Sequence, residues 1–256
     1  MASGGFRATG ALELLRRFSI PLTAAVVAAA SWVPRFGSPT YGLDPSWQGG
    51  LFMAADRGLQ FGSEIVFTYG PLGFLGQPSA TLWFGDLASL AYLYQSVLHV
   101  ALCLGLVAVP SRSIGLPLAA LVSFLAVVLT SDVEQALVLV FLLTLELLSS
   151  SDRPGRKWLL VCAGATLAAF GTLIKLSVGP VLVLLPLCGL VGARARLTVI
   201  AGYLGLYASE VVVLWIAAGG RIGGLPDYVA RSADVIAGYS EAMGVTVLPE
   251  WNGVAM

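Results

Sequence analysis

The sequence predicts an all-α polytopic membrane protein. About seven transmembrane helices are expected, with a large outer loop between the first and second that contains a short amphipathic helix. Three observations predict this class. The chain is 57% hydrophobic and only 11% charged, with a mean hydropathy of +0.88, whereas soluble domains carry roughly 25% charged residues. Its apolar runs approach the ~20 residues a helix needs to cross a bilayer. Its lysines and arginines concentrate in alternate loops, as the positive-inside rule requires. Formal net charge is zero and no basic cluster is long enough for nucleic acid.

The first span covers roughly 17–34, preceded by Arg7, Arg16 and Arg17. Ala28-Ala29-Ala30 resembles a signal-peptidase site, but the many later spans favour an uncleaved helix. The polar segment 35–86 follows as the outer loop. In Leu43-Asp44-Pro45-Ser46-Trp47, Asp44 reads as an N-cap and Pro45 as the first helical residue. A capping acid can also face a cleft. Trp47, Leu51, Ala55 and Leu59 recur at helical spacing, giving the short helix an apolar stripe, and Gly58 is its expected terminator. Ile65-Val66-Phe67-Thr68-Tyr69 is β-branched and aromatic and predicts extended chain. Gly70-Pro71-Leu72-Gly73 predicts a turn.

The next spans are expected at roughly 87–109, 114–130, 133–149, 158–176, 177–193 and 197–218. Residues 158–193 contain one charge, Lys175. A single helix of that length would run to about 50 Å, too long for a hydrocarbon core of about 30 Å. The break is therefore expected at Lys175-Leu176-Ser177-Val178-Gly179-Pro180, since proline suits the first turn of a new helix. The tight outer loop 131–134 presents Asp132 and Glu134 at a helix start. Those carboxylates either cap the helix and complement its dipole or hold a divalent cation through hard oxygen ligands.

Inside the spans, His99 reads as a satisfied interhelical donor, and Glu146 as an acid near an inner helix end that reaches water. Glu210 must pair, stay neutral or face a wet cavity, and Lys175 is one conceivable partner. Lys175 itself either snorkels or offers a cation to an anionic head group. Cys103, Cys162 and Cys188 lack metal-ligand spacing and read as small buried hydrophobes. Residues 1–218 thus form the transmembrane module and 219–256 an outer juxtamembrane segment. In that segment Pro226–Met243 predicts an interfacial amphipathic helix with Tyr228, Val229, Val235, Ile236 and Tyr239 on its apolar side. The chain stops at Ala255-Met256 in mid-course and is expected to be one module of a longer protein.

With the N-terminus cytoplasmic, nine cations lie inside: Arg7, Arg16, Arg17, Arg112, Arg153, Arg156, Lys157, Arg194 and Arg196. Four lie outside, namely Arg35, Arg57, Arg221 and Arg231, with Lys175 at the outer edge. This orientation in a plasma or inner membrane puts the acids of both loops on the outer face.

These residues resemble the GT-C superfamily of membrane glycosyltransferases, nearest its protein mannosyltransferase and aminoarabinose-transferase branch. The likeness covers most of the chain and corresponds to that family's N-terminal module. It rests on the order of four features: an outer loop opening with Asp44; Ala54-Ala55-Asp56-Arg57-Gly58; Tyr69-Gly70-Pro71-Leu72, similar to a Tyr-Pro-Pro-Leu turn; and Leu173-Ile174-Lys175 with Gly179-Pro180 and Leu184-Leu185-Pro186-Leu187. The family's Asp-Glu pair is Asp44-Pro45 here, and three residues separate Lys175 from Gly179-Pro180.

The resemblance implies transfer of a sugar from a polyprenyl-phosphate-linked donor to an acceptor of unspecified type at the outer face. Asp44 would be the general base, Lys175, Tyr69 and Arg57 would bind substrate, and Asp132 and Glu134 would hold a divalent metal ion. Partners would then be the lipid-linked donor and the membrane lipids. Two other classes stay open. One is a non-catalytic integral membrane protein, an assembly partner or degenerate relative. The other is a transporter or flippase of a lipid-linked sugar, which should carry mid-membrane ionisable groups and an inverted repeat. Glu210 and His99 fit the first of those two marks, and no repeat is visible.

Overall fold

The computed structural model describes residues 5–33, 43–77, 85–130, 132–149 and 154–243. Among these residues the fold is all-helical. The helices are α1 (Gly5–Ser31), α2 (Leu43–Asp56), α3 (Gly85–Ala108), α4 (Ser111–Ile114), α5 (Leu116–Leu129), α6 (Asp132–Ser149), α7 (Pro154–Ile174), α8 (Gly179–Gly192), α9 (Leu197–Ala217) and α10 (Gly224–Met243), with a 3₁₀ turn at Gly73–Gly76. The runs of Leu, Ala and Val that fill α5 and α8 are apolar all round, as buried or lipid-facing helices are.

Helix ends follow from local chemistry. Proline occupies the first turn of both α5 and α8, where its missing N–H costs nothing. Gly58 ends α2 as expected, with φ +62°. The N–H of Gly58 donates to Ala55 O at 3.2 Å and that of Leu59 to Ala54 O at 3.0 Å, the paired bonds of a left-handed C-cap. The break expected near Lys175 is also there: α7 ends at Ile174 and α8 begins at Gly179.

Among the described residues three helices are long and apolar enough to cross a membrane, spanning Gly85–Ile114, Gly155–Ile174 and Leu197–Ala217. Phe18–Ser31, Leu116–Leu129 and Gly179–Gly192 are apolar but shorter. At 14 residues, α5 and α8 reach about 21 Å, short of a core of about 30 Å. The 18 residues of α6 include Asp132, Glu134 and Glu146, which dilute its apolar run.

Packing forms distinct layers. One apolar cluster joins α1, α3, α5 and α6 through residues such as Ala28, Leu102 and Val127. A second joins α6, α7, α8 and α9 around Leu147, Val161 and Tyr203. The largest lies where segment 43–77 folds over the ends of α3, α7, α9 and α10, around Phe52, Phe74, Leu173, Trp215 and Tyr228. At the opposite end of the bundle Glu146 is 7% exposed and forms ion pairs with Arg112 of α4 and Arg156 of α7. Glu146 is therefore a buried clasp between three helices and not a side chain reaching water.

Other expectations are corrected. The aromatic run 65–69 forms no strand; it makes only isolated bridges, Phe61 with Ile65 and Tyr69 with Lys175. The α2 stripe is broader than expected and ends earlier: Trp47, Leu51 and Ala55 pack against the core as expected, Phe52 and Ala54 are buried beside them, and Leu59, beyond the helix end, is exposed. Cys103 is buried, but Cys162 and Cys188 are exposed on outer helix faces, because an apolar run does not say which of its faces is covered. Helix α10 buries Tyr228 and Ser232 against the protein and leaves Val229 exposed.

Candidate functional site

The site begins with backbone pairing across the break after α7. The N–H of Gly70 donates to Ile174 O at 3.2 Å, that of Leu72 to Leu173 O at 3.1 Å, and that of Leu176 to Thr68 O at 2.9 Å. This pairing sets Tyr69 opposite Lys175. The Lys175 ammonium lies over the Tyr69 ring, 4.9 Å from its centroid. Such a contact is worth about 0.5–1 kcal/mol at exposed sites and more when desolvated. Tyr69 is buried within a cluster of three aromatic rings. Phe67 stacks on it at 5.6 Å and 23°, and Trp47 of α2 lies 4.7 Å away at 32°.

Gly70 explains why this turn reads Tyr-Gly-Pro-Leu. A Cβ there would strike the Leu173 carbonyl and come within 2.6 Å of the Tyr228 hydroxyl. A proline would in addition lose the N–H bonded to Ile174. The departure from a Tyr-Pro-Pro-Leu turn is thus a packing requirement of this chain.

Helix α10 covers the same segment. The Ser232 hydroxyl donates to Phe67 O at 2.7 Å, and the Tyr228 hydroxyl lies 3.4 Å from Thr172 O. Burial pushes the Tyr228 pKa up, which keeps the phenol a neutral donor. The Gln60 amide ties the α2 exit to the α9–α10 connection, donating to Gly219 O at 3.0 Å and accepting from the N–H of Arg221 at 3.2 Å.

Lys175 is half-buried and lines a narrow crevice with Tyr94 and Gln95 of α3, Ala136 of α6 and Val178. Tyr94, stacked on Phe170 at 5.5 Å, also lines a much larger apolar groove. That groove has a volume of about 620 Å³; α3, α7 and α9 form its walls, and Leu72, Phe74 and Leu75 also border it. A cation therefore stands one aromatic ring away from a long hydrophobic trough.

Of the residues expected to act, Lys175 and Tyr69 are brought into contact. Arg57 is exposed in the turn after α2. Asp44 belongs to α2, one turn before Trp47, and Asp132 opens α6; both side chains lie outside the described residues. Glu134 is exposed near the start of α6. Among the described residues no three His, Cys, Asp or Glu side chains gather to hold a metal ion. Glu210 does not pair with Lys175. Its Oε1 accepts from the Thr166 hydroxyl at 3.0 Å, and its Oε2 is buried without a hydrogen-bond partner.

A second, polar pocket of about 100 Å³ opens beside the crevice and shares Gln95 with it. Ser31 and Trp32 enter it from the end of α1, His99 from α3, Thr130 from the end of α5 and Gln135 from α6. His99 Nε2 lies 3.1 Å from Ala28 O and 3.1 Å from Ser31 Oγ. A carbonyl only accepts, so Nε2 carries the proton, and His99 is the interhelical donor expected of it. Trp32 meets the imidazole edge-on at 5.1 Å. Sequence reading missed Gln95 and Gln135. The available signal was Gln95 and His99 at i and i+4 on one face of an otherwise apolar helix.

Comparison with known proteins finds no match to this chain among family models, curated proteins or solved structures.

Proposed function

We propose that this protein transfers a sugar from a polyprenyl-phosphate-linked donor to an acceptor at the outer face of a plasma or inner membrane. One observation carries the reading: the Lys175 ammonium fixed over Tyr69 beside the apolar groove that Tyr94 joins to its crevice. An anionic head on a long hydrocarbon tail is the ligand whose two halves match those two surfaces. The accompanying topology is seven spans with a cytoplasmic N-terminus, α5 and α8 being the short ones, and segment 35–86 as the outer loop.

In the proposed reaction the acceptor hydroxyl or amine attacks the anomeric carbon and loses its proton to Asp44. The bond between that carbon and the phosphate oxygen breaks, and the electron pair leaves with the polyprenyl phosphate. Lys175 stabilises that growing negative charge. Asp132 and Glu134 are carried forward as the place for a divalent cation, and no step depends on it.

One observation favours a second reading, a transporter or flippase of a lipid-linked sugar. Glu210 sits inside a candidate span with one buried carboxylate oxygen unpartnered. Transfer assays on membranes containing the full chain, run with a panel of polyprenyl-phosphate hexoses, decide between them. Lys175→Gln is expected to lower kcat/KM about 100-fold, the order seen when one charge-stabilising donor is lost. Asp44→Asn is expected to abolish transfer while leaving donor binding unchanged. Unaltered transfer in Asp44→Asn rejects Asp44 as the base, and donor movement without transfer by the unmodified chain favours the second reading.

A further inference from the structure

We infer that the polar pocket between α1, α3, α5 and α6 binds a neutral, hydroxyl-bearing ligand, the hydroxylated edge of a monosaccharide ring. Ser31, Gln95, His99 and Gln135 line it and are 7%, 5%, 4% and 6% exposed. Side chains buried to that degree almost always have hydrogen-bond partners. Gln135 has none among the described residues, and Gln95 uses only the Nε2 end of its amide, donating to Leu75 O at 2.9 Å. The Gln135 amide is not sealed in protein, since the one buried, sealed and unpartnered side-chain atom among the described residues is Glu210 Oε2. Its hydrogen-bonding capacity points into the cavity.

The chemistry of the lining selects the ligand. None of the described residues bordering the pocket is charged, so an ion entering it would meet no counter-charge and would lose hydration. Amides and hydroxyls both donate and accept, which is what a sugar hydroxyl also does. Trp32 adds a flat indole wall of the kind that covers the C–H face of a ring. A volume of about 100 Å³ holds a few waters, at about 30 Å³ each in the liquid, or the polar edge of one ring. Because Gln95 borders both spaces, a ligand seated here adjoins the crevice that Lys175 lines. The inference stands on the pocket alone and does not require sugar transfer.

The test uses the purified full chain in a detergent without a sugar head group. Thermal unfolding is followed with glucose, mannose, galactose and arabinose, and with glucosamine and glucuronate as charged counterparts. A ligand of the native state raises Tm saturably with concentration. At least one neutral sugar is expected to do so, with the charged sugars weaker. Gln135→Leu is expected to fold with an unchanged or higher Tm, because it removes an unpaired amide, and to weaken sugar binding at least 10-fold. If Gln135→Leu does not fold, Gln135→Met carries the same expectation. Lys175→Gln should keep the sugar response, which separates failure of this pocket from failure of the lipid-phosphate reading. No saturable shift with any neutral sugar, equal shifts with the charged ones, or a full response in the Gln135 variant overturns the proposal and leaves a pocket that holds water only.

Discussion

Lys175 is held by an aromatic face and not by a carboxylate. Among the described residues no acid pairs with it, so its charge is left for an incoming anion. Tyr69→Leu should therefore loosen the ammonium and raise the KM for a lipid-phosphate donor several-fold, from the roughly 1 kcal/mol of a cation–π contact. Tyr69→Phe, which keeps the ring, should leave KM unchanged. At the other end of the bundle, Glu146→Gln leaves Arg112 and Arg156 facing a neutral amide. The arginine side chains are 52% and 41% exposed, so water recovers part of the loss. About 1–2 kcal/mol of destabilisation is expected in thermal or denaturant unfolding, less than the 3–5 of a fully buried broken pair. Lys175 was legible in the sequence because it is the sole charge across two apolar runs. Its partner was not, since periodicity places a residue on a face and says nothing about which distant segment lies against that face. The same limit hid the two arginines around Glu146.

Among the elements, segment 43–77 and α10 show what local pattern can and cannot supply. The Gly58 stop of α2 and the turn at residues 70–73 are written in short-range chemistry and sit where that chemistry put them; the start of α2 does not, since the helix begins at Leu43 and takes in Asp44, the expected N-cap. The aromatic run before the turn has strand propensity, but among the described residues no strand pairs with it; Thr68 O accepts from the N–H of Leu176 and Phe67 O from the Ser232 hydroxyl instead. Helix α10 is amphipathic as expected, but an apolar face does not name its cover; Phe61 and Trp215 claim Tyr228. Gly70→Ala should therefore unseat the turn from α7, costing more than about 2 kcal/mol because the obstruction is backbone. Ser232→Ala removes one bond to Phe67 O and should cost about 1 kcal/mol. Proteolysis of the α10 region should quicken in both variants.

For the whole molecule, composition sufficed to predict an all-helical protein with helices able to cross a membrane, and among the described residues three meet length and composition together. Seven spans could not be read off directly, because the apolar part of α1 and helices α5 and α8 are short and α6 carries three acids. The polar pocket escaped notice because its neutral groups come from four helices that lie far apart in the sequence. In the proposed arrangement segment 43–77 and Lys175 form one site on the extracytoplasmic face, while Glu146 and its arginines close the cytoplasmic end. Single cysteines test it most directly once Cys103, Cys162 and Cys188 are replaced by alanine. Ser63→Cys and Ser177→Cys, exposed near the site, and Ser113→Cys, beside Arg112, are labelled in intact cells with a membrane-impermeant maleimide. Positions 63 and 177 are expected to react from outside, and position 113 only after the membrane is opened. Labelling of position 113 in intact cells, with 63 and 177 protected, would contradict this arrangement.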